Sequence, residues 1–477
     1  MTLKNGNINK TASLVVLLLG TSMAAIDTSI VNVSLPVMRQ QFSSQITEVQ
    51  WVVTAYMLSF SIFIPLTDWL KNRVGYFNLY IGSTAIFTIG SLLCGLSTSL
   101  NWLVAARVLQ AIGSGAIAPA ALAIIATVFP KNERGRAIGI WGLGTVMGPA
   151  LGPTLGGILT QHFGWPYIFF VNIPIGLATI MLSYKYLRFL KSEETEKEPF
   201  HTAGFISLAV FLVTLQYSFT KIINLSLLSF SSLAWLLTLT ASGMFFYYSS
   251  RKRPYPLVDL SLFTNFQFIN GLGLIFVRSV AMFGGLFLLP FLLQGTLGYS
   301  ETATGLLILP NAIMVSIVLP FAGKWTDSYG YRSISIAGLT VLGFSMFLFG
   351  QLDKGSAVSF ILLATMLRGA GLGMLNAPLT AAIISAVPQQ KAAMASSINM
   401  LILQLGGAIS VSSFSLIQQV SVQHYLERGA AALPAEHQAL HNCFLIAGIL
   451  LWLSIISAIR LPKKEKRISE NVSLGAG

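Results

Sequence analysis

Asp27 stands inside an apolar run, with Thr28, Ser29 and Asn32 beside it. A carboxylate near the middle of a membrane-spanning helix costs roughly 2.5–3.5 kcal/mol on insertion scales. Either function keeps it there or local hydrogen bonds satisfy it, and the sequence leaves both open. Burial disfavours the ionised form, so such a group can take a proton on one side and yield it on the other. Three arginines share its setting. Arg107 lies near the end of its run, where it either snorkels to the headgroups or faces a partner. Arg368 sits mid-run. Arg278 lies roughly 11 residues deep, where a cation needs a partner or water. It could pair with an acid such as Asp27, attract an anionic cargo, or line a water-filled cavity, and the spacing does not choose among these.

A second pattern is built from helix breakers. Gly144, Gly148, Gly152 and Gly156 recur every four residues, and Gly157 widens the stripe. Pro149 and Pro153 fall between them. In lipid, helices associate by close packing, and small residues let backbones approach. Neighbouring helices can satisfy the carbonyls that proline frees. A bent, smooth-faced helix of this kind is expected to rock against a span of the other half and seal a cavity. A stripe that only packs is the alternative.

Gln50, Trp51, Tyr56, Asn311, Asn376, Asn399 and Gln404 are polar or aromatic points on apolar helices. They suit a cavity for amphipathic ligands, or serve equally as bonds between helices. His437 and His441 are one turn apart, but two ligands do not make a metal site, and no metal is expected. No nucleophile elbow, phosphate-binding loop, HExxH or CxxC is present. The reading is therefore not an enzyme, with no cofactor, and any pumping is driven by an ion gradient.

These residues need helices in a bilayer to position them. The chain of 477 residues is 54% hydrophobic and only 9% charged, with a mean hydropathy of +0.73. A soluble domain carries about 25% charged residues. The net charge of +13 is read as basic cytoplasmic loops rather than as nucleic-acid binding. Cys94 and Cys443 both lie in apolar runs, so no disulfide framework is expected. The N-terminus leads straight into the first apolar run without a small-residue cleavage site, and is expected to be retained.

A span needs about 20 apolar residues. Such runs lie near 13–36, 49–70, 77–98, 101–125, 136–160, 165–187, 202–221, 228–249, 267–293, 301–322, 333–351, 356–377, 393–420 and 440–460. The expected fold is an all-α membrane protein of 14 transmembrane helices. Two six-helix pseudo-repeat bundles (1–190 and 267–462) flank a linker and two extra central helices (191–266), with a tail at 463–477. With the N-terminus inside, 22 of the 29 Lys and Arg fall in inside segments, and only Arg39, Lys221, Lys354 and Arg428 fall outside. That asymmetry predicts a multi-pass cell-membrane protein, inner membrane in a bacterium, with both termini cytoplasmic.

The repeat shows in two places. DWLKNRVGYF (Asp68–Phe77) matches GKWTDSYGYR (Gly323–Arg332), and QAIGSG (Gln110–Gly115) matches RGAGLG (Arg368–Gly373). Two matches at nearly one offset predict facing halves around a central site, as in many secondary transporters.

With these residues in hand, the chain resembles the 14-span drug:proton antiporter branch of the major facilitator superfamily along nearly its whole length. The resemblance rests on AIDTSIVNVSLP (Ala25–Pro36), on Arg107, Gln110, Gly113 and Gly115, on MGPALGPTLGG (Met147–Gly157), and on WPYIFFVNIPIG (Trp165–Gly176). It implies a proton-coupled antiporter for multidrug-type efflux of amphipathic small molecules by alternating access, working as a monomer. Asp27 takes the proton-carrying position, and Arg107 faces the first span and tunes proton release. Export of an anionic metabolite or siderophore is the alternative, motivated by Arg278; an uptake symporter or a membrane sensor would use the same framework. The family's loop after span two reads G-x-x-x-D-R-x-G-R-R and latches one conformation. Here Asp68 replaces the first Gly, Asn72 the Asp, and Tyr76 and Phe77 the basic pair, while Arg73 and Gly75 remain. The second copy keeps Gly323, Asp327, Gly330 and Arg332. Pro166 stands where the family commonly has Arg.

Overall fold

The computed structural model describes residues 9–191, 201–221, 230–251 and 258–463. Most of the central charged linker and nearly all of the C-terminal tail therefore lie outside the described residues, as do the side chains of Asp68 and Pro149. Every regular element among the described residues is helical. The first set comprises α1 (Lys10–Gln41), α2 (Ile46–Phe63), α3 (Leu66–Gly95), α4 (Leu100–Val128), α5 (Lys131–Phe163) and α6 (Tyr167–Tyr186). Then come α7 (Thr202–Lys221) and α8 (Phe230–Arg251). The second set is α9 (Phe266–Thr296), α10 (Glu301–Gly350), α11 (Val358–Ser385), α12 (Ala392–Glu427) and α13 (Ala432–Ala458). Eleven helices among the described residues are long and apolar enough to cross a membrane. Large apolar side chains such as Met181, Leu237 and Ile456 point outward from them, as expected where the solvent is lipid.

The sequence divides α10 into two runs, and the structure shows why one helix of 50 residues contains both. At Gly330 the backbone turns a corner with φ 82° and ψ 165°. The arms on either side both lie on α11: Gly369 abuts Asn311 of the first arm and Gly371 abuts Leu342 of the second. Gly75 turns the same corner in α3, with φ 77° and ψ 162°. That region is open to glycine and strained for other residues. The two matched loops thus share a backbone conformation as well as letters.

Within the first set, α1 packs along α5 and α3 along α4; in the second, α10 packs on α11 and α12 on α9. The sets meet through α5 against α10, α2 against α12, and α1 against α9. Helix α7 lies in the groove between α2 and α12, with Leu208 and Leu212 against Leu58, Leu405 and Ile409. Its Gln216 donates from Nε2 to Ser412 Oγ (2.6 Å) and to the Ala408 carbonyl (3.0 Å). Ser412 in turn donates to Gln50 Oε1 at 2.9 Å. One polar chain therefore joins α7 to both sets.

The sets touch chiefly at one end. Arg39 pairs with Glu436 at 3.0 Å, and Gln419 donates to Gln45 at 2.5 Å. Gln294 donates to the Val33 carbonyl at 2.8 Å, and Gln161 accepts from the Thr302 N–H at 3.1 Å. At the opposite end, no atom of a neighbouring helix comes within 4 Å of a Cβ placed on Gly135, Gly139 or Gly323.

Candidate functional site

The first centre lies inside the first set of helices. Asp27 is fully buried on α1. Arg107 of α4 donates from Nη1 to Asp27 Oδ2 at 2.6 Å. Gln110, one turn further along α4, donates from Nε2 to Oδ1 at 2.8 Å, and Asn172 of α6 donates to the same oxygen at 2.9 Å. Ser91 of α3 accepts from Gln110 at 2.7 Å and from Asn172 at 3.3 Å. Arg107 also donates from Nε to the Val52 carbonyl of α2 at 3.0 Å and from Nη1 to Gln110 Oε1 at 2.5 Å. Its guanidinium lies 4.0 Å from the Tyr56 ring centroid, and Tyr56 donates to Ser114 Oγ at 2.6 Å. Both oxygens of Asp27 thus meet donors from α4 and α6, and α2 and α3 complete the network by accepting from those donors. In an apolar interior an unmatched charge is far costlier than a paired one.

This geometry decides between readings that the sequence left open. Arg107 is 1% exposed and turned inward, so it does not snorkel. Asp27 takes Arg107 as its partner, not Arg278. The sequence does not single out Gln110 and Asn172 as its donors, nor Ser91 as the hydroxyl that accepts from both of them. Gln110 carried a signal, being one helical turn from Arg107; Ser91 and Asn172 carried only their polarity in apolar runs.

The second centre lies in the second set. A cavity of about 190 Å³ is lined by Arg278, Asn311, Arg368 and Asn376 together with Met282, Leu286, Val315, Leu319 and Leu372. Helix α9 loosens into a π-helical stretch at Val280–Gly284, a turn that weakens the regular ladder. Arg368 uses it: Nη2 donates to the Ala281 carbonyl at 3.0 Å and to the Met282 carbonyl at 2.7 Å. Its Nη1 donates to Asn311 Oδ1 at 3.0 Å. Nε of Arg368 and Nε of Arg278 are buried without a partner. Among the described residues, neither arginine is in an ion pair.

The other cavity candidates sit elsewhere. Gln50 is buried between the sets, accepting from Thr54 at 2.6 Å as well as from Ser412. Tyr56 stacks on Arg107, and Trp51 begins the long part of α2, half-buried. Gln404 on α12 is half-buried, with its Oε1 lacking a partner.

The glycine stripe behaves differently from expectation. A Cβ on Gly144, Gly148, Gly152 or Gly156 would strike Ser22, Ala25, Ser29 or Ile30 of α1, within the same set. Ser29 Oγ donates to the Gly148 carbonyl at 3.1 Å across this seam. The four-spaced glycines thus form a packing seam within the first set, while Gly157, which widens the stripe, meets the other set. The contact with the other set is the next face of α5: Gly157 abuts the Glu301 carbonyl, Gly305 abuts the Pro153 carbonyl, and Thr154 donates to the Gly305 carbonyl at 3.2 Å. A spacing of four selects a face but not the neighbour that the face meets.

In the loop motifs, Arg73 stacks over Trp69 at 5.6 Å and Arg332 donates from Nε to the Leu461 carbonyl at 3.1 Å, while Asp327 is exposed. His437 approaches Thr296 and His441 the Gly350 carbonyl, and no group of three or more metal-ligating side chains is found among the described residues.

Two sets of membrane-length helices, meeting at one end and carrying buried charges midway, define a multi-pass membrane transporter. The chain belongs to the Major Facilitator Superfamily, whose sequence profile matches residues 17–411 and 272–474. It is 30% identical over 466 residues to the riboflavin transporter RibZ of Clostridioides difficile, covering 96% of this chain and 98% of that one. It is 33% identical to the multidrug resistance protein Stp of Mycobacterium tuberculosis, covering 80% and 70%. It is 29% identical to the multidrug export protein EmrB of Escherichia coli, covering 83% and 78%. Among solved structures, a bacterial homologue of the human lysosomal transporter Spinster in an inward-facing, unoccupied conformation superposes with a TM-score of 0.66 at 14% identity, covering 95% and 97%. A POT family transporter in complex with 5-aminolevulinic acid gives 0.69 at 15%, covering 93% and 94%. These likenesses establish the fold and a transporter with multidrug-efflux relatives.

Proposed function

We propose that the protein is a proton-coupled antiporter that exports amphipathic small molecules from the cell by alternating access. The observation that carries this reading is Asp27, buried and held by Arg107, Gln110 and Asn172. Adding α5, α8 and the second arm of α10 to the eleven membrane-length helices makes fourteen spans, with both termini cytoplasmic by the charge asymmetry. The bundles are then 1–190 and 267–462, with 191–266 between them, in the cell (inner) membrane, and the chain works as a monomer.

On that orientation the end joined by Arg39 and Glu436 is the outer end, so the conformation is closed outside. Arg107, Gln110 and Asn172 then all donate to the Asp27 oxygens, an arrangement that suits a carrier whose proton has left inward. When the outer end opens, the movement of α1 against α4 parts Asp27 from Arg107 and lets an external proton in. Protonation removes the charge that Arg107 needs, which changes the packing of α4 and biases the return. Cargo exchanges at the cavity of the second bundle. The test is Asp27→Asn in sealed vesicles: drug transport driven by a pH gradient is expected to stop while the protein still folds. Unchanged transport would remove Asp27 from the mechanism.

A second reading, export of an anionic metabolite, is favoured by the two arginines in that cavity and by the relative named as a riboflavin transporter.

A further inference from the structure

We infer that the cavity of the second bundle is a receptor for an organic oxyanion, a carboxylate or sulfonate carried on an aromatic ring. The inference deepens the transport reading and rests on it for the cargo's passage, but not for its binding. Arg278 is 7% exposed and Arg368 is 1% exposed, and both line the same cavity. Each keeps a buried Nε without a partner. Hydrogen bonds to neutral oxygens satisfy part of Arg368, but none of them offsets its charge. The contrast with the first bundle is direct, since Arg107 there has its carboxylate at 2.6 Å. Two guanidinium groups held in an apolar interior without counter-charge are costly. An anion entering between them recovers that cost, and the planar fork of arginine fits two oxygens of one acid group.

The rest of the wall sets the body of the ligand. Met282, Leu286, Val315, Leu319 and Leu372 are apolar, and the volume is about 190 Å³. A cavity of about 150 Å³ accepts benzene. One aromatic ring with its acid group therefore fits, and a larger cargo would place its acidic end here. Asn311 already accepts from Arg368 through Oδ1, so its Nδ2 is left to donate to the same acid.

The experiment measures equilibrium binding by calorimetry to the whole protein in detergent, with no gradient. Benzoate, benzamide and benzylammonium share one ring and differ in charge. Benzoate is expected to bind at least tenfold tighter than benzamide, with benzylammonium weakest. Arg278→Gln and Arg368→Gln are each expected to remove most of that preference, while Arg278→Lys keeps part of it. Asp27→Asn should leave it unchanged. Benzamide binding to the wild type as tightly as benzoate overturns the inference, whether or not the variants fold. A folded Arg278→Gln protein with an unchanged ratio overturns it as well. Loss of proton coupling in the vesicle assay with the benzoate preference intact would instead overturn the antiport reading and leave this site standing.

Discussion

Arg107 Nη1 and Asp27 Oδ2 meet at 2.6 Å with side chains 2% and 0% exposed, and Arg107 also caps the Val52 carbonyl. Removing one partner of such a pair strands the other charge, at a cost of about 3–5 kcal/mol. Arg107→Leu is therefore expected to lower the unfolding midpoint markedly, and Arg107→Leu combined with Asp27→Asn much less than the sum of the two single changes. A double-mutant cycle on thermal unfolding reads this directly; additive effects would mean that the pair is not coupled.

Gly157 abuts the Glu301 carbonyl across the seam between the two sets. Gly157→Val is expected to fold, because it leaves the α1–α5 seam intact, but to hold the sets apart at that end. Cysteines placed near Gln45 and Gln419 should then label faster with a membrane-impermeant maleimide. Equal labelling would show that the seam closes around the new side chain. Gly148→Val, which strikes the Ala25 backbone inside one set, should reduce the amount of folded protein instead.

Arg39 and Glu436 join the sets at 3.0 Å with roughly a third of each side chain exposed. An exposed pair contributes about 0.2–1 kcal/mol, so stability should hardly change in Arg39→Glu. Transport should change more, because on the proposed alternating-access cycle opening of the end that this pair joins would break it. Arg39→Glu is expected to shift that equilibrium toward opening, and adding Glu436→Arg to restore it. Impermeant labelling at the same two cysteines measures the shift; if the double swap fails to restore protection, the pair is not a latch.

Gly75 and Gly330 hold φ near +80° with extended ψ, a region that costs other residues on the order of 1–3 kcal/mol. Gly75→Ala and Gly330→Ala should each destabilise the protein by an amount in that range. Denaturant midpoints in detergent are the readout. No loss at either position would mean that the corner relaxes to another conformation.

Much of the architecture was legible because lipid imposes a simple rule: a chain that crosses it must be helical and apolar over a fixed length. The runs, the loop charges and the matching loops at Gly75 and Gly330 follow from that rule. Asp27 and the arginines were also legible, since a charge in an apolar run is conspicuous. What each charge meets was not. Arg107 and Arg278 look alike along the chain, yet one has a carboxylate and the other lines a cavity. Gln50 and Tyr56, expected at the cavity, went instead to the seam with Ser412 and to the face of Arg107.

The order of residues alone determined that this is a helical membrane protein, where its helices run, and which few side chains are too costly to be idle there. Only the folded arrangement decided that Asp27 takes its donors from α4 and α6, that the glycine stripe lies on α1, and that two arginines share one unpaired cavity. The reason is physical: span length and polarity are properties of each segment in its solvent, whereas pairing depends on which helix faces sit within a few ångströms, and side-chain spacing along one helix does not encode its neighbour.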